Sequence, residues 1–106
     1  MNRPVATSPG MVTLYDFTAK WCGPCKQMKP VLEALEKEYA GRMRLVVVDV
    51  DDDPVTAQQF SVRSMPTFVL VRDGREVGRI VGSRPRAFVA GVLDRALGGD
   101  VAITSP

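Results

Sequence analysis

Trp21-Cys22-Gly23-Pro24-Cys25-Lys26 stands where a strand stops and a helix starts, and the rest of the chain is ordered around that junction. Upstream, Met11 to Phe17 is β-branched, aromatic and aliphatic, which predicts a strand. Downstream of a short turn, Met28, Leu32, Leu35 and Tyr39 recur on one stripe, with Lys26, Lys29, Glu33 and Lys37 off it. That period predicts a helix from Pro24, capped by Gly41 in the left-handed region. Pro30 lies inside it and should bend its axis by removing a backbone hydrogen bond.

Beyond the helix, Arg44 to Asp49 is almost wholly apolar and predicts a strand buried on both faces. Asp53-Pro54 opens a short helix that finishes near Phe60, the carboxylate capping it and the proline in its first turn. Thr67 to Arg72 and Glu76 to Val81 are strands joined by Asp73-Gly74, a hairpin signature. A last helix follows Gly82-Ser83-Arg84-Pro85, with Phe88, Val89, Val92, Leu93, Ala96 and Leu97 as its apolar stripe and Gly98-Gly99 as its stop. The order β-α-β-α-β-β-α implies one parallel crossover and then a hairpin, so an α/β domain with a mixed sheet and helices on its faces. Residues 1–10 read as a flexible lead-in, 11–98 as the domain and 99–106 as a loose tail.

Bulk properties narrow the chemistry. With 106 residues there is room for one core. The formal net charge is +2 with both signs interspersed, not the one-sided basic stripe that nucleic acid requires. The longest apolar runs, Leu45 to Val48 and Phe68 to Val71, are far too short to span a membrane. Met1 to Gly10 has no apolar segment of the secretory kind, so the expected address is the cytoplasm. Two cysteines and no histidine leave a Cys/His metal site short of ligands and rule out a histidine-activated nucleophile. The acidic run Asp49, Asp51, Asp52, Asp53 does not make an EF-hand, because Pro54 and Phe60 stand where its glycine and glutamate belong. Acids gathered before a helix account for it.

What remains is a close cysteine pair at a helix N-terminus. Unpaired N–H groups and the partial positive charge there stabilise a thiolate, which is the nucleophilic form. Lowering a thiol pKa from about 8.5 to about 7 raises the thiolate fraction at neutral pH from roughly 3% to roughly 50%, about 2 kcal/mol of stabilisation. Cys22, at the exposed end, would attack, and Cys25, one turn along, would resolve. A Cys-x-x-Cys alone also fits a structural disulfide or half of an intermolecular zinc site.

The longer string Trp-Cys-Gly-Pro-Cys-Lys resembles the thioredoxin family, as do Asp16-Phe17, Pro30, Met65-Pro66-Thr67, Asp73-Gly74 and Gly82, over a span from about Val12 to Leu97. The resemblance implies a thioredoxin fold and a dithiol reductase of protein disulfides that acts as a monomer without a bound cofactor. An NADPH-dependent flavoprotein thioredoxin reductase would recharge it. It further implies a cis bond before Pro66, which faces the cysteines, and a buried Asp16 that takes the proton of Cys25. Trp21, Gly23, Met65 and Gly82 would form the substrate rim. Two departures stand out. The family usually carries lysine two residues before the aspartate matching Asp49, where this chain has Val47. The family also usually has a strand and a helix ahead of the first strand here. Ten residues are too few for both, which implies a four-stranded sheet with residues 3–7 at most an edge strand. Without the lysine, Asp16 is expected to hold much of its proton near neutral pH; its other reading is a strand-end charge turned to solvent or paired with Lys20. A rival reading of the whole chain is a redox-gated binding module or partner subunit with incidental turnover.

Overall fold

The computed structural model describes residues 9–98, so the lead-in up to residue 8, the edge strand considered for 3–7 and the tail 99–106 lie outside the described residues. Seven elements follow in the expected order. They are β1 (Val12–Thr18), α1 (Gly23–Glu38), β2 (Met43–Asp49), α2 (Pro54–Gln59), β3 (Thr67–Arg72), β4 (Arg75–Val81) and α3 (Arg86–Ala96). The sheet order is β2-β1-β3-β4, with β1 parallel to β2 and antiparallel to β3, and β3 antiparallel to β4.

Strand alternation distributes the core over two faces. Val12 and Leu14 join Phe68, Leu70 and Ile80 beneath Met28, Leu32 and Leu35 of α1 and Val89 and Leu93 of α3. Phe17 and Val69 point the other way and pack with Val48, Ala57 and the partly buried Tyr15 and Phe60 under α2. Covered on both sides, the central strands β1 and β3 can be apolar throughout. Asp16 is the exception in β1. By the period of two it shares the α1/α3 face with Val12 and Leu14.

The hairpin follows its turn chemistry: Asp73 and Gly74 both take positive φ, 51° and 80°, matching the right-handed twist of the strands they join. The register of β3 against β4 shifts between Leu70 and Val71, so that Val77 bulges out of the ladder. Asp53 caps α2 as expected, its carboxylate accepting from the Thr56 N–H at 3.1 Å.

Two expectations need correction. Strand β2 is not buried on both faces: it is the outer strand of the described sheet, and Val47 is 58% exposed. An apolar run cannot distinguish a central strand from an edge strand, since only the pairing order decides what covers it. Phe88 is not in the α3 core stripe either. It is 47% exposed, with the Arg84 guanidinium 5.6 Å above its ring, while Val89 and Leu93 take the buried positions.

Candidate active site

Cys22 is the N-cap of α1, with extended φ and ψ, and Pro24 fills the first helical turn, where a missing N–H costs nothing. Cys22 and Cys25 are joined by a disulfide, their Cα atoms 5.3 Å apart. The Cys25 backbone N–H donates to Cys22 Sγ at 3.2 Å. One of the orphan donors of the helix start is thus aimed at the sulfur expected to carry negative charge in the reduced state. The two residues do not differ in exposure, however. Cys22 is 5% and Cys25 4% exposed, so the expectation of an exposed Cys22 beside a hidden Cys25 does not hold for the disulfide form. Ala19 and the partly buried Val50 and Met65 pack around the pair. The backbone N–H, not accessibility, sets Cys22 apart.

The Met65–Pro66 peptide bond is cis, and Pro66 is fully buried. The Pro66 carbonyl accepts from the Gly82 N–H at 2.8 Å, and Thr67 Oγ1 donates to the Ser64 carbonyl at 2.7 Å. These bonds tie the loop before β3 to the end of β4, and Gly82 holds φ +90°, which a side chain would resist. Met65 thereby meets the cysteines, while Gly23 opens α1 with nothing within 4 Å of where its Cβ would be.

Trp21 is 67% exposed, and its indole N–H donates to Asp51 Oδ2 at 2.9 Å. Lys20 places Nζ 3.4 Å from Asp49 and 3.5 Å from Asp52. The acidic run does more than precede a helix. Asp51 orients the indole, Asp49 and Asp52 hold Lys20, and Asp53 caps α2. The roles of Asp49, Asp51 and Asp52 escaped the sequence reading because they depend on the β1–α1 and β2–α2 loops lying side by side, about thirty residues apart in sequence.

Asp16 is buried, 6% exposed, and Lys20 is not its partner. In register it sits between Val47 of β2 and Phe68 of β3, neither of which offers a charge or a donor. Burial pushes its pKa up to about 6. The rise is smaller than expected: an acid with that pKa has lost roughly nine-tenths of its proton at pH 7. Asp16 lines a pocket of about 200 Å³ together with Cys25, Lys26, Lys29, Val47 and Asp49 among others. Asp49, at the rim, is held below the ordinary carboxylate range, first by the Asp51 N–H and further by Lys20.

A family model, Thioredoxin, matches residues 3–95. The chain belongs to the thioredoxin family. Among its relatives, thioredoxin of Staphylococcus aureus is 45% identical over 86 residues, covering 81% of this chain and 83% of that protein. Thioredoxin of Staphylococcus haemolyticus is 46% identical over the same length, with the same coverage. Of solved structures, Fasciola hepatica thioredoxin superposes with a TM-score of 0.78 at 39% identity, covering 83% of each chain. Oxidised mitochondrial thioredoxin 3 from Saccharomyces cerevisiae gives 0.71 at 44% identity, covering 78% of this chain and 77% of that one. The fold is the thioredoxin fold, and the chain is a thiol–disulfide oxidoreductase, a protein-disulfide reductase, with the Cys22–Cys25 disulfide as its redox pair. No helix among the described residues is long and apolar enough to cross a membrane.

Proposed function

We propose that Cys22 is the attacking thiolate and Cys25 the resolving thiol in the reduction of disulfides in proteins. The observation that carries this is the Cys25 N–H directed at Cys22 Sγ, at the N-cap of a sixteen-residue helix. Negative charge on Cys22 is favoured by that donor and by the helix dipole. Cys22 thiolate attacks one sulfur of the substrate disulfide. The substrate S–S bond breaks, a mixed disulfide forms, and the first substrate thiolate leaves. Asp16, ionised above pH 6 and on the pocket that Cys25 lines, takes the Cys25 proton through that pocket. Cys25 thiolate then attacks Cys22 Sγ, the mixed disulfide breaks, and the second substrate thiolate departs. Two electrons have passed to the substrate, and the enzyme is left as the Cys22–Cys25 disulfide. An NADPH-dependent flavoprotein thioredoxin reductase returns the two electrons, in the cytoplasm.

Substrate docks on the rim of Trp21, Gly23, Met65 and Gly82. Extended substrate backbone pairs with the main chain at Met65, next to Pro66, in the manner of an added strand. Asymmetric trapping tests the assignment. Cys25→Ser incubated with a protein disulfide accumulates a mixed disulfide at Cys22, whereas Cys22→Ser is inactive and forms none. A Cys25→Ser protein that keeps turning over at the parent rate without an adduct overturns the assignment of roles. A parent protein that binds disulfide-bearing partners but reduces them no faster than a free dithiol makes it a binding module instead.

A further inference from the structure

We propose that Lys29 is a positioning residue of this site, supplying from helix α1 the positive charge that strand β2, carrying Val47, does not bring to the Asp16–Cys25 pocket. The pocket collects charged groups from every element around it: Asp16 from β1, Lys20 from the loop after it, Lys26 and Lys29 from α1, and Asp49 from β2. The β3 neighbour of Asp16 is Phe68, which adds none. Lys20 is already engaged by Asp49 and Asp52. Lys26 and Lys29 form no ion pair among the described residues.

Helix geometry separates those two. Lys29 follows Cys25 by one turn and lies about 40° from it around the axis, whereas Lys26 is about 100° away. Side chains on a helix lean toward its N-terminus, so the stem of Lys29 runs back over the turn that carries Cys25. Its other helical neighbour at that spacing, Glu33, is exposed and does not pair with it. Asp16 forms no ion pair among the described residues, and its pKa is raised by burial. Lys29 therefore acts across the pocket, by its field, on whichever of Asp16 and Cys25 carries the negative charge during proton transfer. An exposed charge acting at a distance is screened by salt, which gives the mechanism a signature that packing lacks.

The inference rests on the proposed role of Asp16 only for its effect on turnover, and the experiment reads the two separately. Asp16 is titrated in the reduced full-length protein through the NMR signal of its carboxyl carbon, in low and high salt. Single-turnover reduction of a disulfide-linked fluorescent peptide is followed across the same pH range. In low salt, Lys29→Met should raise the Asp16 midpoint by about half a pH unit, Lys29→Arg should restore it, and Lys26→Met should move it less. Salt of about 0.5 M should remove most of the difference. An Asp16 midpoint unmoved by Lys29→Met, or a shift that persists undiminished in high salt, overturns the proposal. A midpoint that moves while the pH dependence of single-turnover reduction stays in place upholds Lys29 and removes Asp16 as the proton acceptor.

Discussion

At Asp16 a carboxyl group is held between Val47 and Phe68 with no cation in contact, and the energetic consequence has a definite sign. Its native pKa, about 6, lies above the unfolded value of about 3.9, so the native state holds this proton more tightly than the unfolded chain. The contribution to stability is fully present below pH 4, is lost as pH rises to 6, and stays lost above that. The shift corresponds to about 2–3 kcal/mol. Asp16→Asn should therefore be more stable than the parent at pH 7–9 and lose that advantage near pH 4, as chemical denaturation across pH would show. It should also slow resolution of the mixed disulfide. An Asn variant less stable than the parent throughout would mean that the carboxylate makes a favourable contact in the native state. Val47→Lys would place an ammonium in register with Asp16, and the Asp16 midpoint should fall below 6 in the same NMR titration. At Trp21 the indole is fixed by Asp51, and it is the single tryptophan of the chain. Asp51→Ala should lower its fluorescence anisotropy and raise KM for protein substrates, with less than about 1 kcal/mol change in stability because the bond is exposed.

Among the elements, α2 is the most dependent on a single side chain. It has six residues, buries only Ala57, and has the Asp53 carboxylate as its N-terminal cap. Asp53→Ala should cost about 1 kcal/mol and show as faster amide exchange confined to α2, with α1 unaffected. The packing of α3 on β4 depends on the absence of a side chain. A Cβ at Gly78 would lie 3.1 Å from Val92 Cγ1. Gly78→Val forces α3 outward and should cost about 1–3 kcal/mol, seen as a lower midpoint in urea with an unchanged slope. The two ends of β1 illustrate how one strand serves two purposes. Its first half anchors the core under α1 and α3, and its last residues deliver Asp16 and the loop carrying Trp21 and Cys22 to the same edge of the molecule.

The whole domain is held by one sheet clasped between α2 on one face and α1 with α3 on the other. Phe68 belongs to the larger core, is fully buried, and neighbours Asp16 in register. Phe68→Ala should remove about 3–5 kcal/mol, a large share of the 5–15 kcal/mol expected of a domain this size. Far-UV circular dichroism and fluorescence should report a single cooperative transition at lower temperature. Long-range ties reinforce the clasp. Tyr39 Oη donates to Asp94 at 2.7 Å, joining α1 to α3, and Arg86 pairs with Glu38 between the same helices. Arg72 donates to the Ala96 carbonyl at 3.3 Å, holding the end of α3 to the sheet.

Sequence periodicity was sufficient to determine the order and type of all seven elements, the Asp73-Gly74 turn and the Asp53 cap, because each of these is set by neighbours within a few residues. Trp21 to Lys26 likewise located the redox pair, since a strand-to-helix junction is a local event. Tertiary structure alone decided which apolar strand lies at the edge, so that Val46 and Val48 could not be told from the exposed Val47 in advance. It also decided that Lys20 pairs with Asp49 and Asp52 and leaves Asp16 alone, that Asp51 holds the indole, and that Lys29 comes to the same pocket as Asp16. These contacts join residues separated by up to about thirty positions. Their geometry follows from how the sheet and helices close on one another, and no local pattern of hydrophobicity or turn chemistry carries that information.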